Sequence, residues 1–491
     1  MATATKGEYI LGRASREGAV VLGFGISNVP LVDFLLGRGI KVEVRDGKER
    51  AALEKNVDLS EYERRGVSFR LGRGYLDDIP ASVIFRTPGI RPDAIGASDA
   101  GGASDAGGIP SAVRRGAYLT SEMELFYALT PSYKVAVTGS DGKTTTTTLI
   151  HKLLSAATAG AGATVALGGN IGKPLLPRVY ELSDSDFAVA ELSSFQLMTM
   201  AEAPETAVIT NISPNHLNWH TGMSEYIESK LRILGDGCRR AVLNYGNDET
   251  HRAAERTNAE VIWFSSDSVP DTLDNVVFID GGMGGKLVLR RGDVTLPLLN
   301  CADIKLPGRH NIENYMAALA AVVDLVPLEV LLPAARELAR TFGGVEHRLE
   351  FVRSLDGVDF YNGSIDSTPS RTAAALSALP GRHIVLICGG YDKHIPIEPL
   401  GEAVIAHGGI LHVVLTGATA GLITDAFRRT GVPEDTFSTE SDFRDATLAA
   451  ASKARELSAD TVLLSPACAS FDAFANFEER GNFFKNIVNS L

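Results

Sequence analysis

Short apolar runs of the kind found in buried strands alternate with helix-like segments in three blocks of this chain, which begin near residues 19, 133 and 358. In the first block AVVL at 19–22 leads into VPLVDFLLGRG and then IKVEV, the pattern of a β–α–β unit. Repeated alternation of this kind predicts an α/β fold with largely parallel sheets. Functional residues are then expected at the carboxyl ends of the strands.

The length of 491 residues exceeds what one hydrophobic core supports, so we expect several domains. The restarts of the pattern predict domains at 1–130, 131–343 and 344–491. Within the first domain, residues 96–107 repeat GASDAG twice without apolar periodicity. We expect 95–113 to be a mobile loop, and a neutral insertion is its simplest interpretation.

Composition and charge limit the classes of function. The formal net charge of −13 argues against general binding to nucleic acid or to an anionic membrane. No run of 18 apolar residues predicts a transmembrane helix, and the N-terminus lacks the apolar core of a secretory signal. The four cysteines show no CxxC spacing and are interpreted as reduced thiols. We therefore expect a cytoplasmic, monomeric enzyme acting on small molecules.

A glycine-rich loop between an apolar strand and a helix carries the clearest chemical signal. After the strand KVAV the chain continues as Thr138-Gly139-Ser140-Asp141-Gly142-Lys143-Thr144-Thr145-Thr146. Backbone N–H groups and a helix N-terminus in this setting cradle phosphates. Lys143 would neutralise the β- and γ-phosphates, and Thr144 would bind Mg²⁺. The sequence therefore predicts ATP binding, and a chance Gly-Lys-Thr at a helix start is the weaker interpretation.

The spacing of this loop differs from that of the general P-loop, because two residues rather than four separate its glycines. In this respect it resembles the loops of Mur ligases and folylpolyglutamate synthases. Nearly the whole chain apart from 95–113 resembles the Mur ligase family, most strongly at 138–147, 191–197, 306–320 and 463–484. The resemblance implies a Rossmann-like N-terminal domain for a UDP-linked substrate, a central P-loop-type ATPase domain and a Rossmann-like C-terminal domain for an amino acid.

The resemblance also implies ligands for two Mg²⁺ ions. Glu191 in ELSSFQL would bind metal together with Thr144 and His216, and Lys230 would join them as a carbamate formed with CO₂. Taken alone, Glu191 is interpreted as a solvated strand-end glutamate, His216 as a packing or capping residue, and Lys230 as a surface lysine. Lys143, His216 and Lys230 are the implied catalytic residues.

Substrate contacts are likewise implied by family motifs. The ATP contacts are Gly139, Ser140, Asp141, Gly142, Lys143, Thr144, Thr145, Asn311, Asn314 and Arg348, with His347 near the nucleotide. The contacts with the UDP-linked substrate are Ile26, Ser27, Asp46, Thr87, Pro88, Gly89 and Asn170. The segment LLSPACASFDAFANFEERGNFF (463–484) resembles the D-glutamate-adding branch of the family, in which the positions of Ser367, Lys393, Ser470, Phe471 and Phe477 hold the amino acid. Without the resemblance, Ser470 would be the cap of the closing helix, with both phenylalanines in its packed face.

Two segments depart from the family pattern. Gly363 stands where the family often has an aspartate that contacts the ATP ribose, and Asp366 follows three residues later. Either Asp366 substitutes for that aspartate or ATP is held less tightly. Asn215 and Asn218 replace two carboxylates of the family's DHLD pattern around His216, which would alter metal affinity or its pH dependence.

The resemblance implies ATP-dependent ligation of D-glutamate to a UDP-linked muramoyl-alanine through an acyl phosphate, a cytoplasmic step in peptidoglycan precursor synthesis. Another Mur ligase, or a ligase like folylpolyglutamate synthase, would use the same chemistry. From other classes, the GFGISN loop with Asp46 fits a NAD-dependent dehydrogenase, and the ATP loop fits a non-catalytic nucleotide sensor. The dehydrogenase leaves Glu191, His216 and Lys230 unexplained, and the sensor needs no paired metal ligands.

Overall fold

The structure, a computed structural model, describes residues 5–80, 82–96, 107–217, 219–282, 284–306, 308–393 and 395–491. The chain divides into two compact units, Met1–Arg340 and Thr341–Leu491. Over the described residues three sheets form, two in the first unit and one in the second. The predicted α/β fold with mostly parallel sheets is confirmed, whereas the domain limits at 130 and 343 stay predictions.

The N-terminal sheet is parallel throughout. Its strands are β1 (Ala19–Leu22), β2 (Val42–Asp46), β3 (Ser68–Leu71), β4 (Val83–Arg86) and β5 (Tyr118–Thr120), and the order of these described strands is β3-β2-β1-β4-β5. The accompanying helices are α1 (Lys6–Glu17), α2 (Asn28–Leu36), α3 (Arg50–Leu53), α4 (Leu59–Arg64), α5 (Gly108–Arg114) and α6 (Glu122–Leu129). All four residues of β1 are buried, which explains its unbroken apolar sequence.

The predicted mobile loop over 95–113 is wrong in its last part. Residues Gly108–Arg114 form α5, and its Ile109 and Ala112 are buried in an apolar cluster with Val20 and Ile84. These two side chains are three residues apart and share one helix face, a short signal that the glycine-rich sequence before it conceals. Residues 97–106, the centre of the predicted loop, lie outside the described residues.

The central sheet carries the glycine-rich loop near its middle. Its elements are β6 (Tyr133–Thr138), α7 (Lys143–Thr158), β7 (Val165–Gly169), β8 (Phe187–Glu191), α8 (Ser194–Leu197), β9 (Thr206–Ile209), α9 (Met223–Leu231), β10 (Arg240–Asn244), α10 (Asp248–Ala253), β11 (Glu260–Ser265), β12 (Val276–Asp280), β13 (Lys286–Arg291), β14 (Val294–Asn300), α11 (Arg309–Val322) and α12 (Leu328–Thr341). The described strands run in the order β14-β13-β12-β11-β10-β9-β6-β8-β7. Because β6 pairs in parallel with β8 and β9, the segments after these three strands meet at one edge of the sheet.

The C-terminal unit has its own sheet and its own core. Its elements are β15 (Glu350–Leu355), β16 (Val358–Asn362), α13 (Pro369–Ser377), β17 (Ile384–Gly389), α14 (Glu398–His407), β18 (Ile410–Thr416), α15 (Ala420–Thr430), β19 (Phe437–Thr439), α16 (Phe443–Glu456), β20 (Thr461–Leu464) and α17 (Phe477–Ser490). The described strands run in the order β15-β16-β20-β17-β18-β19, with β15 antiparallel. One apolar cluster includes Leu376, Leu400 and Ile423, and a second includes Ala450 and Phe484, so helices cover both faces.

Short 3-10 helices cover Leu176–Arg178, Arg232–Leu234, Ala254–Arg256, Cys301–Asp303 and Glu434–Thr436. The four cysteines are free thiols, three of them buried, as their scattered spacing predicted. Among the helices that the structure describes, none has both the length and the apolar character required to cross a membrane.

Candidate active site

The loop after β6 has a backbone shape that requires glycine at two positions. Gly139 (φ 150°) and Gly142 (φ 78°) lie in the left-handed region, and a Cβ on Gly142 would collide with Asn314 Oδ1. The amides of Ser140 and Asp141 donate to the backbone and side-chain oxygens of Asn211, at 2.9 and 3.0 Å. The loop is therefore anchored to the end of β9, and α7 begins at its far side, so that its N-terminus adjoins the loop.

Two lysine side-chain amines converge on one carbonyl oxygen of this loop. Lys143 Nζ lies 3.0 Å from the oxygen of Gly139, and Lys230 Nζ lies 2.6 Å from the same atom. Lys230 is 2% exposed, so it is not the surface lysine of the simplest interpretation. Burial, and secondly the charge of Lys143, lower the pKa of Lys230 to about 6. A neutral amine at this position is thus favoured near pH 7.

Glu191 ends β8 next to this loop and is fully buried rather than solvated. It is 1% exposed, and its Oε1 accepts a hydrogen bond of 2.7 Å from Asn170 Nδ2. Its Oε2 is buried and has no hydrogen-bond partner among the described residues. An uncompensated buried carboxylate oxygen is costly unless a cation or donor approaches it.

A magnesium ion fits this edge of the sheet. Mg²⁺ prefers carboxylate and water oxygens, and protein sites for it commonly supply one or two carboxylates and leave phosphates and waters to complete the shell. Glu191 Oε2 offers such an oxygen beside the loop that is expected to hold phosphates. In the part of the chain that the structure describes, no three or more His, Cys, Asp or Glu side chains are grouped so that they could hold a metal ion by themselves. A ligand set here would therefore also draw on other groups, such as Thr144, which is buried in the first turn of α7.

His216 belongs to an aromatic cluster beside the loop. Its backbone is left-handed (φ 54°), and its ring packs edge-on against Phe195 with centroids 5.1 Å apart. Desolvation, followed by the charges of Lys143 and Lys230, lowers the pKa of His216. The influence of both lysine charges on its pKa shows that His216 lies near Lys143 and Lys230, the other two predicted catalytic residues. Asn218, one of the two departures near His216, lies outside the described residues.

Hydroxyl groups of the loop and of α7 already have protein partners. Ser140 Oγ bonds Ser213 O at 2.8 Å and Tyr226 Oη at 2.9 Å, which ties the loop to α9. Thr146 Oγ1 donates to Asn314 Oδ1 (3.1 Å), and Asn314 Nδ2 donates to Asn311 Oδ1 (3.2 Å). The threonine run and the two predicted asparagines thus join α7 to α11, while Thr145 remains half-buried in the first turn of α7.

All the predicted contacts with the UDP-linked substrate except Asn170 lie at the carboxyl edge of the N-terminal sheet. Asp46 accepts hydrogen bonds of 2.8 Å from the amides of Phe24 and Lys48, so it fixes the GFG loop. Asn28, which replaces the third glycine of a dinucleotide loop, donates to the oxygens of Leu22 and Gly23 at 3.1 and 2.8 Å. Asn28 in place of glycine is thereby explained, because its side-chain amide satisfies the carbonyl oxygens at the end of β1.

Several members of the predicted UDP set are open to solvent, as a ligand site requires. Ile26 is 85% exposed although it is apolar. Ser27, Thr87 and Pro88 are half-buried, and Gly89 is exposed. Asn170, in contrast, lies at the central sheet, hydrogen-bonded to Glu191, so the structure places it with the proposed metal ligand.

In the C-terminal unit, most of the residues predicted to bind D-glutamate cluster near the ends of β16, β17 and β20. Lys393 Nζ donates to Ser367 Oγ at 3.0 Å. Phe471 is 64% exposed and its ring packs edge-on against Tyr391. Ser470 does not cap the closing helix, because Asn476 does so by accepting from the amide of Glu479. The packing interpretation of Ser470 and Phe471 is therefore wrong.

Gly363 and the carboxylate of Asp366 are adjacent in space. A Cβ on Gly363 would lie 2.5 Å from Asp366 Oδ2, so the aspartate carboxylate occupies the space next to the missing side chain. Ser465 Oγ donates to Asp366 Oδ2 at 2.9 Å, and burial raises the pKa of Asp366 to about 6. His347 is buried, with Nδ1 3.0 Å from Asn362 Nδ2 and its ring 5.9 Å from that of Phe477, while Arg348 is exposed.

Three buried polar residues near these sites were not singled out from the sequence. Arg86 precedes the Thr87–Gly89 turn, His220 bonds Ser194 and Glu225, and Arg480 donates to Ser364 and to the oxygens of Cys468 and Ala469. Only Arg86 carried a usable signal, since a cation at the end of an apolar strand directly before a Pro-Gly turn is unusual.

Comparison with known proteins identifies the family. Residues 137–322 match the Mur ligase middle domain. The UDP-N-acetylmuramoylalanine–D-glutamate ligase of Acetivibrio thermocellus is 41% identical over 486 residues, 98% of this chain and 97% of that protein. The ligase of the same name from Clostridium novyi is 42% identical over 488 residues, with 97% of each chain covered.

Solved structures of other Mur ligases share the fold. The UDP-N-acetylmuramate-alanine ligase MurC of Thermotoga maritima has a TM-score of 0.51 and 17% identity, covering 96% of this chain and 99% of its own. MurF of Acinetobacter baumannii has a TM-score of 0.52 and 16% identity, covering 76% and 81%. These structures show the shared fold, and the near-complete alignments at 41% and 42% identity place the chain in the UDP-N-acetylmuramoylalanine–D-glutamate ligase family.

Proposed function

We propose that this protein joins D-glutamate to UDP-N-acetylmuramoyl-L-alanine with consumption of ATP, as a monomer in the cytoplasm. The observation that carries the proposal is the meeting of the loop at 139–144, the buried carboxylate of Glu191 and the buried amine of Lys230 at one sheet edge. A dehydrogenase needs none of these groups. A nucleotide sensor would need the loop but not the orphaned oxygen of Glu191.

In the first step, an oxygen of the alanyl carboxylate attacks the γ-phosphorus of ATP. The bond from that phosphorus to the bridging oxygen breaks, ADP leaves, and the carboxylate becomes an acyl phosphate. The Lys143 ammonium and the amides at the N-terminus of α7 would stabilise charge on the phosphate oxygens. Glu191, Thr144 and His216 would hold Mg²⁺ here, and the ion would add to the charge neutralisation on the phosphate oxygens.

In the second step, the neutral amine of D-glutamate attacks the acyl carbon, phosphate leaves, and the amine nitrogen loses a proton. His216, whose pKa is lowered, is neutral near pH 7 and would accept that proton when its free ring nitrogen is not bound to Mg²⁺. In the C-terminal unit, Lys393 and Ser367 would bind the carboxylates of D-glutamate, with Ser470, Phe471 and Phe477 around them. The remaining contacts with ATP and with the UDP-linked substrate are proposed to be those that the family motifs imply.

Lys230 is proposed to carry a carbamate. Its neutral Nζ attacks the carbon of CO₂, a nitrogen–carbon bond forms as one carbon–oxygen π bond of CO₂ opens, and one proton passes from the nitrogen to solvent, so that a neutral amine becomes a carbamate anion. The lowered pKa of Lys230 supports this, because only the neutral amine is nucleophilic. The anion would bind a second Mg²⁺ and would place a negative charge next to the Lys143 ammonium.

Phosphate release measured with each substrate omitted in turn tests the function. We expect release only when ATP, Mg²⁺, UDP-N-acetylmuramoyl-L-alanine and D-glutamate are all present, with L-glutamate and D-alanine as matched controls. Release that proceeds without D-glutamate, or equally with other amino acids, would refute the assignment.

The carbamate needs a separate test. Wild-type activity should fall in CO₂-depleted buffer and return with bicarbonate, and Lys230→Ala should be inactive under both conditions. A Lys230→Ala variant with full activity would refute the role of Lys230.

A further inference from the structure

One buried arginine links the turn proposed for the UDP-linked substrate to the helix that follows Glu191. Arg86, the last residue of β4, is 1% exposed. Its Nη1 donates to the backbone oxygens of Thr87 (3.3 Å), Pro88 (3.2 Å) and Ile90. Its Nη2 donates to the backbone oxygen of Phe195 at 2.9 Å, although that residue is 109 positions away in the chain.

A second hydrogen bond, to a residue that follows the end of α8, strengthens this link between Arg86 and α8. Arg86 Nη2 also lies 3.0 Å from Thr199 Oγ1, just beyond the end of α8. A planar guanidinium can bond to several acceptors on two segments at once, which a lysine ammonium cannot match in geometry. Burial lowers the pKa of Arg86 to about 10, and no carboxylate within the described ranges raises it again. Carbonyl and hydroxyl oxygens alone compensate its charge.

The other end of α8 is tied to the same segment by a separate chain of contacts. Arg91 forms an ion pair of 2.9 Å with Glu225. Glu225 Oε2 lies 3.1 Å from His220 Nδ1, and His220 Nε2 lies 2.9 Å from Ser194 Oγ. Both ends of α8 are therefore connected to the segment 86–91. This segment contains the Thr87–Gly89 turn proposed for the UDP-linked substrate, called the nucleotide turn below.

A displacement of α8 would also move two of the proposed metal ligands, Glu191 and His216. Glu191 lies three residues before Ser194, the first residue of α8, and Phe195 of α8 packs against His216. The nucleotide turn and the proposed metal ligands thus share one short helix as a common support.

We propose that Arg86 is a positioning residue which couples occupancy of the Thr87–Gly89 turn by the uridine nucleotide to the placement of α8 and Glu191. The inference rests on the proposed function, because it requires that this turn binds the UDP moiety. Coupling between two sites is reciprocal in binding free energy, so it can be measured from either side.

The dissociation constant of uridine diphosphate, measured by calorimetry with and without Mg²⁺ and a non-hydrolysable ATP analogue, tests this coupling. For the wild type we expect affinity to be at least about fivefold higher when the analogue is present. For Arg86→Lys we expect this ratio to fall to near one, with kcat reduced more than the KM of either nucleotide changes. A purely structural role would lower the melting temperature and leave the ratio unchanged.

Arg45→Lys is the matched control. Arg45 is also a buried arginine of the N-terminal sheet, 3% exposed, but it donates to the backbone oxygens of Tyr75, Asp77 and Asp78, all in the same sheet region. This variant should lose a similar amount of thermal stability and keep the wild-type ratio.

Thr199→Val removes one acceptor of Arg86 without removing the arginine and decides the case if Arg86→Lys does not fold. We expect it to lower the coupling ratio at least twofold. A wild type without coupling, or variants with the wild-type ratio, would overturn the inference. A wild type that does not bind uridine diphosphate at all would instead refute the proposed function.

Discussion

The two carboxylate oxygens of Glu191 have different surroundings, and this difference defines the residue's role. Oε1 accepts from Asn170, whereas the buried Oε2 has no partner among the described residues. The sequence supplied Glu191 as a candidate, but not its partner, because Asn170 is 21 positions away and was assigned to the substrate. Pairing across a sheet edge depends on tertiary structure, which a motif does not encode. The structure thus adds an orientation to the predicted residue.

Glu191→Gln tests whether the orphaned oxygen binds metal. The amide keeps an acceptor for Asn170 but removes the negative charge, so we expect the Mg²⁺ concentration for half-maximal activity to rise at least about tenfold. The melting temperature should stay close to that of the wild type, since no ion pair is lost. Glu228→Gln is the control, because Glu228 is exposed on α9 and pairs with Arg256. An unchanged Mg²⁺ requirement in Glu191→Gln would contradict the assignment.

Glu122 is a buried carboxyl group whose ionisation should affect stability. Burial raises the pKa of Glu122 to about 7, and its Oε1 accepts from the amide of Leu176 at 3.1 Å. Between the unfolded value of 4.5 and about 7, the folded state holds the proton that the unfolded state releases. Its contribution to stability is therefore complete below pH 4.5 and is lost as pH rises through 7, by up to about 1.4 kcal/mol per pH unit.

The Glu122→Gln variant should remove this pH dependence. Chemical denaturation of wild type and variant between pH 5 and 8 should give free energies of unfolding that diverge with rising pH, the variant being the more stable at pH 8. Glu181→Gln, at an exposed glutamate, should follow the wild-type curve. Parallel curves for wild type and Glu122→Gln would show that Glu122 ionises as an ordinary carboxyl group.

At the scale of elements, the parallel strands and the helices of the three blocks could be predicted, because buried strands and amphipathic helices have distinct periods. The hairpins β12–β14 were missed, since KLVLRR and VTLPLLN are short and the second contains Pro297 at the edge of the sheet. Helix α5 was missed because only one turn of apolar periodicity, Ile109 and Ala112, supports it. Short elements are specified largely by what they pack against.

The glycine-rich loop was predicted from local sequence because its shape depends on local backbone conformation. Gly142→Ala tests that shape. Its φ of 78° disfavours any Cβ, and the added methyl group would displace Asn314 of α11. We expect destabilisation of more than about 1 kcal/mol and a large loss of affinity for Mg²⁺-ADP, measured by thermal denaturation and calorimetry.

Gly160→Ala is the matched control for this loop variant. Gly160 lies just beyond α7, and a Cβ there meets nothing within 4 Å. It should retain wild-type nucleotide affinity and stability. If Gly142→Ala behaved like Gly160→Ala, the close packing of the loop against α11 would not constrain the nucleotide site.

At the scale of the whole molecule, the proposed catalytic groups of the first unit come from segments distant in sequence. The loop at 139–144, Glu191, His216 and Lys230 meet because β6, β8 and β9 are neighbours in one sheet. The residues proposed for D-glutamate belong to the second unit, which has a separate sheet and two apolar clusters. This division predicts that the second unit is an independent folding unit.

A fragment of residues 341–491 should therefore fold alone. Its six-stranded sheet is covered by helices on both faces within the residues described, so we expect native-like circular dichroism and one cooperative thermal transition. The matched control is a fragment of residues 357–491, which lacks β15. That fragment loses the antiparallel partner of β16 and also Glu350, which bonds Asn362 and Lys485 at 2.9 and 3.1 Å. It should melt at a clearly lower temperature or aggregate through the exposed edge of β16. A 341–491 fragment that is unfolded at 25 °C would mean that the second unit depends on the first for its stability.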